Sequence, residues 1–264
     1  MKQPSVTVII PIYREQPSPL EVLSLDQTLA VLGHYPIAFM APEYLDATWY
    51  QEHCRGKAAV RIERFDWEGY EDYVNLMMDP EYYRRFQAYE YLFMCQLDAF
   101  AFRDELPYWC GLGYDFVGAV IYNETWKAST NWWRRLTGFE TPAYYANSGF
   151  CLKKVDTFVS MTSRFRHYIS FYRWVSQLRG VQGFYDDLFI SQHFPRLSSR
   201  FRMPSKAVAQ RFGADYMEYD PGRLPFHNGN NENLPFGVHG WIQRQLDFWR
   251  PCINRCAPGS LAWE

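Results

Sequence analysis

No Gly-x-Gly-x-x-Gly follows the first strand-like segment of this chain, and no Gly-Lys-Ser/Thr loop occurs anywhere in it. A dinucleotide site on a glycine-rich turn and a P-loop are both disfavoured, since each needs glycine to bring backbone N–H groups close to phosphates. Charge of one sign is also lacking: 27 basic and 29 acidic residues leave a formal charge of -2, which is no footprint for a polyanion. Nucleic-acid binding is therefore not expected. The six cysteines (Cys54, Cys95, Cys110, Cys151, Cys252, Cys256) are scattered, mostly in apolar runs, without paired zinc-ligand spacing, and read as reduced core residues. Internal repeats, coiled-coil heptads, low-complexity tracts and a transmembrane run are absent. The chain passes from Lys2 straight into Val6-Thr7-Val8-Ile9-Ile10 without the parts of a secretory signal, so a cytoplasmic location is expected.

What is present is alternation. Val6 to Ile12 reads as a strand, and Ser18-Pro19-Leu20-Glu21 opens a helix with a capping box and Pro at its first position. Strands over Tyr35 to Met40 and Ala58 to Phe65 flank a helical segment around Ala47 to His53. This β-α-β-α-β order predicts an α/β fold, a mostly parallel sheet with helices on both faces. At 264 residues the expectation is one domain over 1–250 with a tail over 251–264. A tyrosine-rich helical stretch over Tyr70 to Gln87, broken at Asp79-Pro80, leads to the central segment, and a long helical region follows from Val155 to Leu178. Aromatic residues make up 19% of the chain; those beyond core needs suit flat apolar ligand faces. The segment with Trp126, Trp132 and Trp133 reads as a loop or short helices over the site.

The chain is organised around Glu90 to Phe102, read as one strand buried on both faces that carries Asp98 at its end. The carboxyl ends of parallel strands open onto the ligand crevice, so Asp98 is a candidate site residue. Asn147-Ser148-Gly149 places small, hydrogen-bonding residues inside a strand-like run, where Gly149 suggests close approach of a backbone or ligand. The pair Asp186-Asp187 opens a helix, and His239 precedes Gly240-Trp241. A carboxylate and an imidazole leave most positions of an octahedral ion free, which suits Mn²⁺ or Mg²⁺ shared with phosphate oxygens.

The order of elements resembles a GT-A glycosyltransferase: a Val-Ile-Ile-Pro-Ile-Tyr strand, a central apolar strand ending in an acid, Asn-Ser-Gly, a later Asp-Asp and a C-terminal His. More narrowly, Gln96-Leu97-Asp98-Ala99-Phe100, Arg103-Asp104-Glu105-Leu106, Asn147-Ser148-Gly149-Phe150 and Pro235-Phe236-Gly237-Val238-His239-Gly240-Trp241 are similar to a bacterial GT-A-like family labelled as a domain of unknown function. This resemblance implies a UDP-sugar donor, a glycan or glycolipid acceptor, and Asp98 and His239 as metal ligands, and it leaves room for peripheral membrane contact. Gln96 stands where the first acid of an Asp-x-Asp would, a residue better suited to a hydroxyl than to a hard cation. By the same resemblance Pro11, Tyr13 and Arg14 border the base, Asp66 lies nearby, and Arg84 or Arg85 meets the diphosphate. Asp187 is implied as the base of an inverting transfer, with Asp186 orienting the helix start or the acceptor. The competing readings are a carbohydrate-binding or inactive GT-A scaffold and a metal-dependent nucleotidyltransferase.

Overall fold

The computed structural model describes residues 5–122, 144–178, 184–216 and 234–257. The Trp126, Trp132 and Trp133 segment lies outside them. The first third follows the expected alternation: strands β1 (Val6–Pro11), β2 (Ile37–Pro42) and β3 (Val60–Phe65) pair in parallel through the helices Pro19–Leu32 and Thr48–Cys54. β1 and β2 are buried along their whole length, because helices cover both faces and leave no place for a polar row. The helix Pro19–Leu32 starts on the expected capping box, with Ser18 N donating to Glu21 Oε2 at 2.7 Å. That reciprocal bond satisfies N–H groups that a helix start leaves open. Glu21 then accepts from the Tyr13 hydroxyl at 2.9 Å, which sets the loop after β1.

The central segment is two strands rather than one. β4 (Tyr91–Cys95) runs parallel to β1 and stops where Gln96 N turns to Gly149 O at 2.8 Å and Ala99 N closes on Gln96 O at 2.9 Å. β5 (Ala99–Ala101) then pairs with a different strand at the far edge of the sheet. β6 (Phe116–Tyr122), β7 (Tyr144–Lys154), β8 (Gly213–Tyr216) and β9 (Gly237–His239) complete the order β3-β2-β1-β4-β7-β6-β8-β9-β5. β7 is antiparallel to β4 and β6, β8 is parallel to β6 and β9, and β5 is antiparallel to β9. Only Gln96, Leu97 and Asp98 separate β4 from β5, so the two ends lie within about 14 Å. Five flat strand spacings would put them about 24 Å apart. The sheet must therefore curl until its far edge faces the end of β4.

Aromatic rings pack into one cluster against that sheet. Phe150 is fully buried, its ring centroid 5.0 Å from Phe93, 5.4 Å from Phe212 and 5.1 Å from Phe236. The helical region after β7 divides at Phe165 into Val155–Arg164 and Arg166–Leu178, and a further helix covers Asp186–Leu197. The expected tail boundary falls inside a helix, Leu246–Cys256, whose Trp249, Cys252 and Ile253 are buried in a cluster with Phe100, Phe102 and Trp241. No described helix is long and apolar enough to cross a membrane. Replacing Phe150 removes a ring from the centre of its cluster, so Phe150→Ala should lower unfolding free energy by about 3–5 kcal/mol in urea titrations. A loss below about 1 kcal/mol would mean that this ring is not central to the core.

Candidate active site

The break between β4 and β5 puts polar groups on a turn that the curled sheet encloses. Gln96 and Asp98 lie on that turn, and Ala99 in β5 pairs with His239 in β9, which brings the imidazole over them. His239 Nε2 stands 2.9 Å from Gln96 Oε1 and 3.3 Å from Asp98 Oδ1, and Nδ1 stands 2.8 Å from Asp215 Oδ2. Both ring nitrogens thus face oxygen acceptors, which favours the doubly protonated ring. Burial pulls the imidazole down, but the charges of Asp98 and Asp215 outweigh it and push it up to about 10. Burial likewise opposes the Asp98 carboxylate, yet the His239 charge holds its carboxyl below the usual range. Asp215, wholly buried, also pairs with Arg244.

Gly149 makes this proximity possible. A Cβ there would overlap the His239 ring and lie 2.6 Å from Gln96 Oε1, so the expected close approach is to these two side chains. The Asn147 side chain accepts from Gly149 N, holding the strand in that shape. Gln96 is fixed from the other side, its amide donating to the Tyr73 hydroxyl at 3.1 Å.

Two cavities meet at Gln96, Tyr70 and Tyr73. One, of about 470 Å³, is walled by Pro11, Tyr13, Tyr44, Trp67 and Asp98. The other, of about 480 Å³, is walled by Asn147, Ser148, Gly149, Asp186, Asp187, His239 and Arg244. Both are of the size of small-molecule sites. The Ser148 hydroxyl is buried without a hydrogen-bond partner, which marks it for a ligand or water.

The acid pair is divided by its surroundings. Asp186 does not cap its helix: its Oδ2 has no hydrogen-bond partner and faces Lys153 Nζ at 3.9 Å, because β7 places a buried lysine opposite it. Asp187 Oδ1 instead accepts from Leu188 N at 2.7 Å, so the backbone contact expected of Asp186 belongs to Asp187. Burial, then the Asp186 charge, push the Asp187 carboxyl up to about 8 despite that bond.

Three expected residues lie elsewhere. Arg84 pairs with Glu81 and reaches Ser163, and Arg85 stacks on Phe65 with its Cζ 4.2 Å from the ring centroid. Both sit on the outer side of the short helix, whose buried tyrosines Tyr82 and Tyr83 take the inward face. Asp66 is exposed and lines a separate cleft with Asp72 and Arg173. Arg14 borders the first cavity only indirectly, its guanidinium 4.8 Å from the Tyr13 ring centroid and 3.4 Å from Glu21. Conversely, nothing in the sequence pattern singles out Arg244, Trp67 or Tyr73, and Asp215 is marked only weakly. The one available signal is Asp215 itself, an acid after the apolar Phe212-Gly213-Ala214, as Asp98 follows Leu97.

The charge arrangement around His239 is directly measurable. Imidazole NMR should show both ring protons retained at pH 8, and Asp215→Asn should move the titration to lower pH by removing a carboxylate partner. Titration near the unperturbed value of about 6.5 in the parent would contradict this geometry.

Comparisons with known proteins give the arrangement its context. A search of curated protein sequences yields no match. Among solved structures, galactosyltransferase LgtC in complex with donor and acceptor sugar analogues superposes with a TM-score of 0.54 at 12% identity, over 97% of this chain and 96% of that one. Mouse xyloside xylosyltransferase 1 gives 0.51 at 10% identity, over 89% and 96%. The bifunctional glycosyltransferase WbbM gives 0.55 at 14% identity over 97% of this chain, which spans 50% of the WbbM chain. At these identities the likeness is one of fold, and the fold is GT-A-like, an α/β architecture on a curled, mostly parallel sheet. A family model described as "Protein of unknown function (DUF5672)" matches residues 59–239, and the chain belongs to that family.

Proposed function

We propose that the chain is a glycosyltransferase that moves a hexose from a UDP-sugar to a hydroxyl of a glycan or glycolipid acceptor. The observation that carries this reading is the meeting of two ligand-sized cavities at Gln96, with Asp98 lining one and His239, Asp186 and Asp187 lining the other. The aromatic walls of the first, Tyr13, Tyr44 and Trp67, suit a base and ribose. The second then holds the sugar and the acceptor. Ser148, with its unpartnered hydroxyl, is placed for a sugar hydroxyl.

The donor set at the junction fits Mn²⁺ or Mg²⁺: Asp98 supplies a carboxylate oxygen and His239, once Nε2 gives up its proton, an imidazole nitrogen, with Asp215 behind the ring in the manner of an outer-shell carboxylate and Gln96 left to a hydroxyl. Among the described residues no three His, Cys, Asp or Glu side chains form a closed metal site. Asp98 and His239 would leave most positions to water and phosphate oxygens. A divalent cation bound there supplies Lewis-acid stabilisation of a leaving diphosphate. Arg244, on the wall of the second cavity, adds a guanidinium suited to phosphate.

Asp187 accepts the proton of the acceptor hydroxyl. A half-buried carboxyl raised towards neutral pH is matched to that task, and the sign follows: the base must be ionised, so transfer rises with pH through about 8. Attack by the deprotonated hydroxyl on the anomeric carbon inverts it.

The test is product analysis after incubation with UDP-sugars, Mn²⁺ and an acceptor panel. Release of UDP with a glycosylated product of inverted configuration supports the reading, pyrophosphate release indicates a nucleotidyltransferase, and no turnover with bound nucleotide indicates an inactive scaffold. Asp187→Asn should lower turnover by about two to four orders of magnitude with donor affinity nearly unchanged. Retention of configuration, or parental turnover in Asp187→Asn, would remove Asp187 from this role.

A further inference from the structure

Lys153, beside the acid pair, is a fully buried lysine, which packing alone does not explain. It lies on β7 with no exposed surface, its Nζ 3.9 Å from Asp186 Oδ2 and 3.4 Å from the Tyr83 hydroxyl. The rings of Phe158, Tyr83 and Phe116 surround the amine at 5.4, 5.8 and 6.0 Å from their centroids. Taking an ammonium out of water is costly, and three ring faces plus one carboxylate are the compensation this site offers. Its strand passes Asn147, Ser148 and Gly149 on the way to Lys153, so the lysine is tied to the same element that shapes the second cavity.

We propose that Lys153 is a positioning residue for Asp187. By drawing the Asp186 carboxylate towards the core it fixes the start of the helix Asp186–Leu197, and it leaves Asp187 as the acid available to a ligand in the second cavity. Its positive charge also offsets that of Asp186 on the side away from the ligand, so that Asp187 feels less of its neighbour's charge. Asp187 faces, besides Asp186, the charges of Asp215 and His239, with Tyr70, Tyr145, Tyr185 and Arg244 on the same cavity wall. Tyr73 shares that wall, and the buried thiol of Cys151 on β7 also feels the charges of Asp187, Asp186 and Lys153.

This inference rests on the reading of Asp187 as proton acceptor, and its test is kept separate from turnover. Protein labelled with ¹³C at the aspartate carboxyl carbons is titrated by NMR, the Asp187 signal being assigned by its loss in Asp187→Asn. In Lys153→Met the Asp187 titration should move up by about one pH unit or more, the scale set by removal of one opposite charge nearby. In the double variant Lys153→Met, Asp186→Asn, both charges are gone and the titration should return towards the parental value. Where activity is measurable, the acidic limb of kcat should move with it while KM for the donor changes little. Identical Asp187 titration in parent and Lys153→Met overturns the proposal. Lys153→Gln is the second neutral variant, and Lys153→Arg, which keeps the charge, should keep the parental Asp187 titration; if neither neutral variant folds, an Asp187 titration that moves up in Lys153→Arg overturns the proposal. A moved titration in a protein that transfers no sugar would instead leave the role of Lys153 standing and remove the proposed function.

Discussion

The imidazole of His239 is the point on which the site depends. It joins Gln96, 143 residues earlier, to Asp215 and Asp98, and so pins the turn after β4 to the far edge of the curled sheet. Three acceptors around one ring make a strong network only while the ring carries both protons or a cation takes the place of one. Gly149 is required by the same contact, since any side chain there would occupy the space of the ring. The curl of the sheet, the missing Cβ and the charge of the imidazole are therefore one constraint seen at three levels.

A second theme is that adjacent acids acquire different roles from their surroundings. Asp186 and Asp187 are neighbours in sequence, yet one faces a lysine in the aromatic core and the other takes a backbone N–H beside a ligand-sized cavity. Low dielectric strengthens both effects, because each charge inside it is felt by its neighbour. Such a division is what acid–base chemistry at neutral pH needs from two carboxyls.

Much of this was legible in the chain itself. The alternation through Phe65, the capping box at Ser18 and Glu21, and the candidates Asp98, Gly149, Asp187 and His239 follow from local pattern, and the structure brings those four around adjoining cavities. The break at Gln96 was not legible, because Tyr91 to Phe102 is apolar enough to read as one strand; the turn is set by Gly149 O, fifty-odd residues away. Arg84 and Arg85 failed for a related reason. Which face of a short helix points inward is decided by where Tyr82 and Tyr83 find a core, and only tertiary packing settles that. Asp215 and Lys153 sit in strands whose partners are distant in sequence, so their pairing with His239 and Asp186 has no local signature.

The central claim is that the turn carrying Asp98 and the strand carrying His239 together form the place where a nucleotide diphosphate and a divalent cation are held. Calorimetric titration of UDP in the presence of Mn²⁺ into the parent protein and into Asp98→Ala tests it most directly. The account predicts saturable binding to the parent and at least about a tenfold loss in the variant, the effect of about 1.4 kcal/mol. Equal affinity in the two proteins would contradict it.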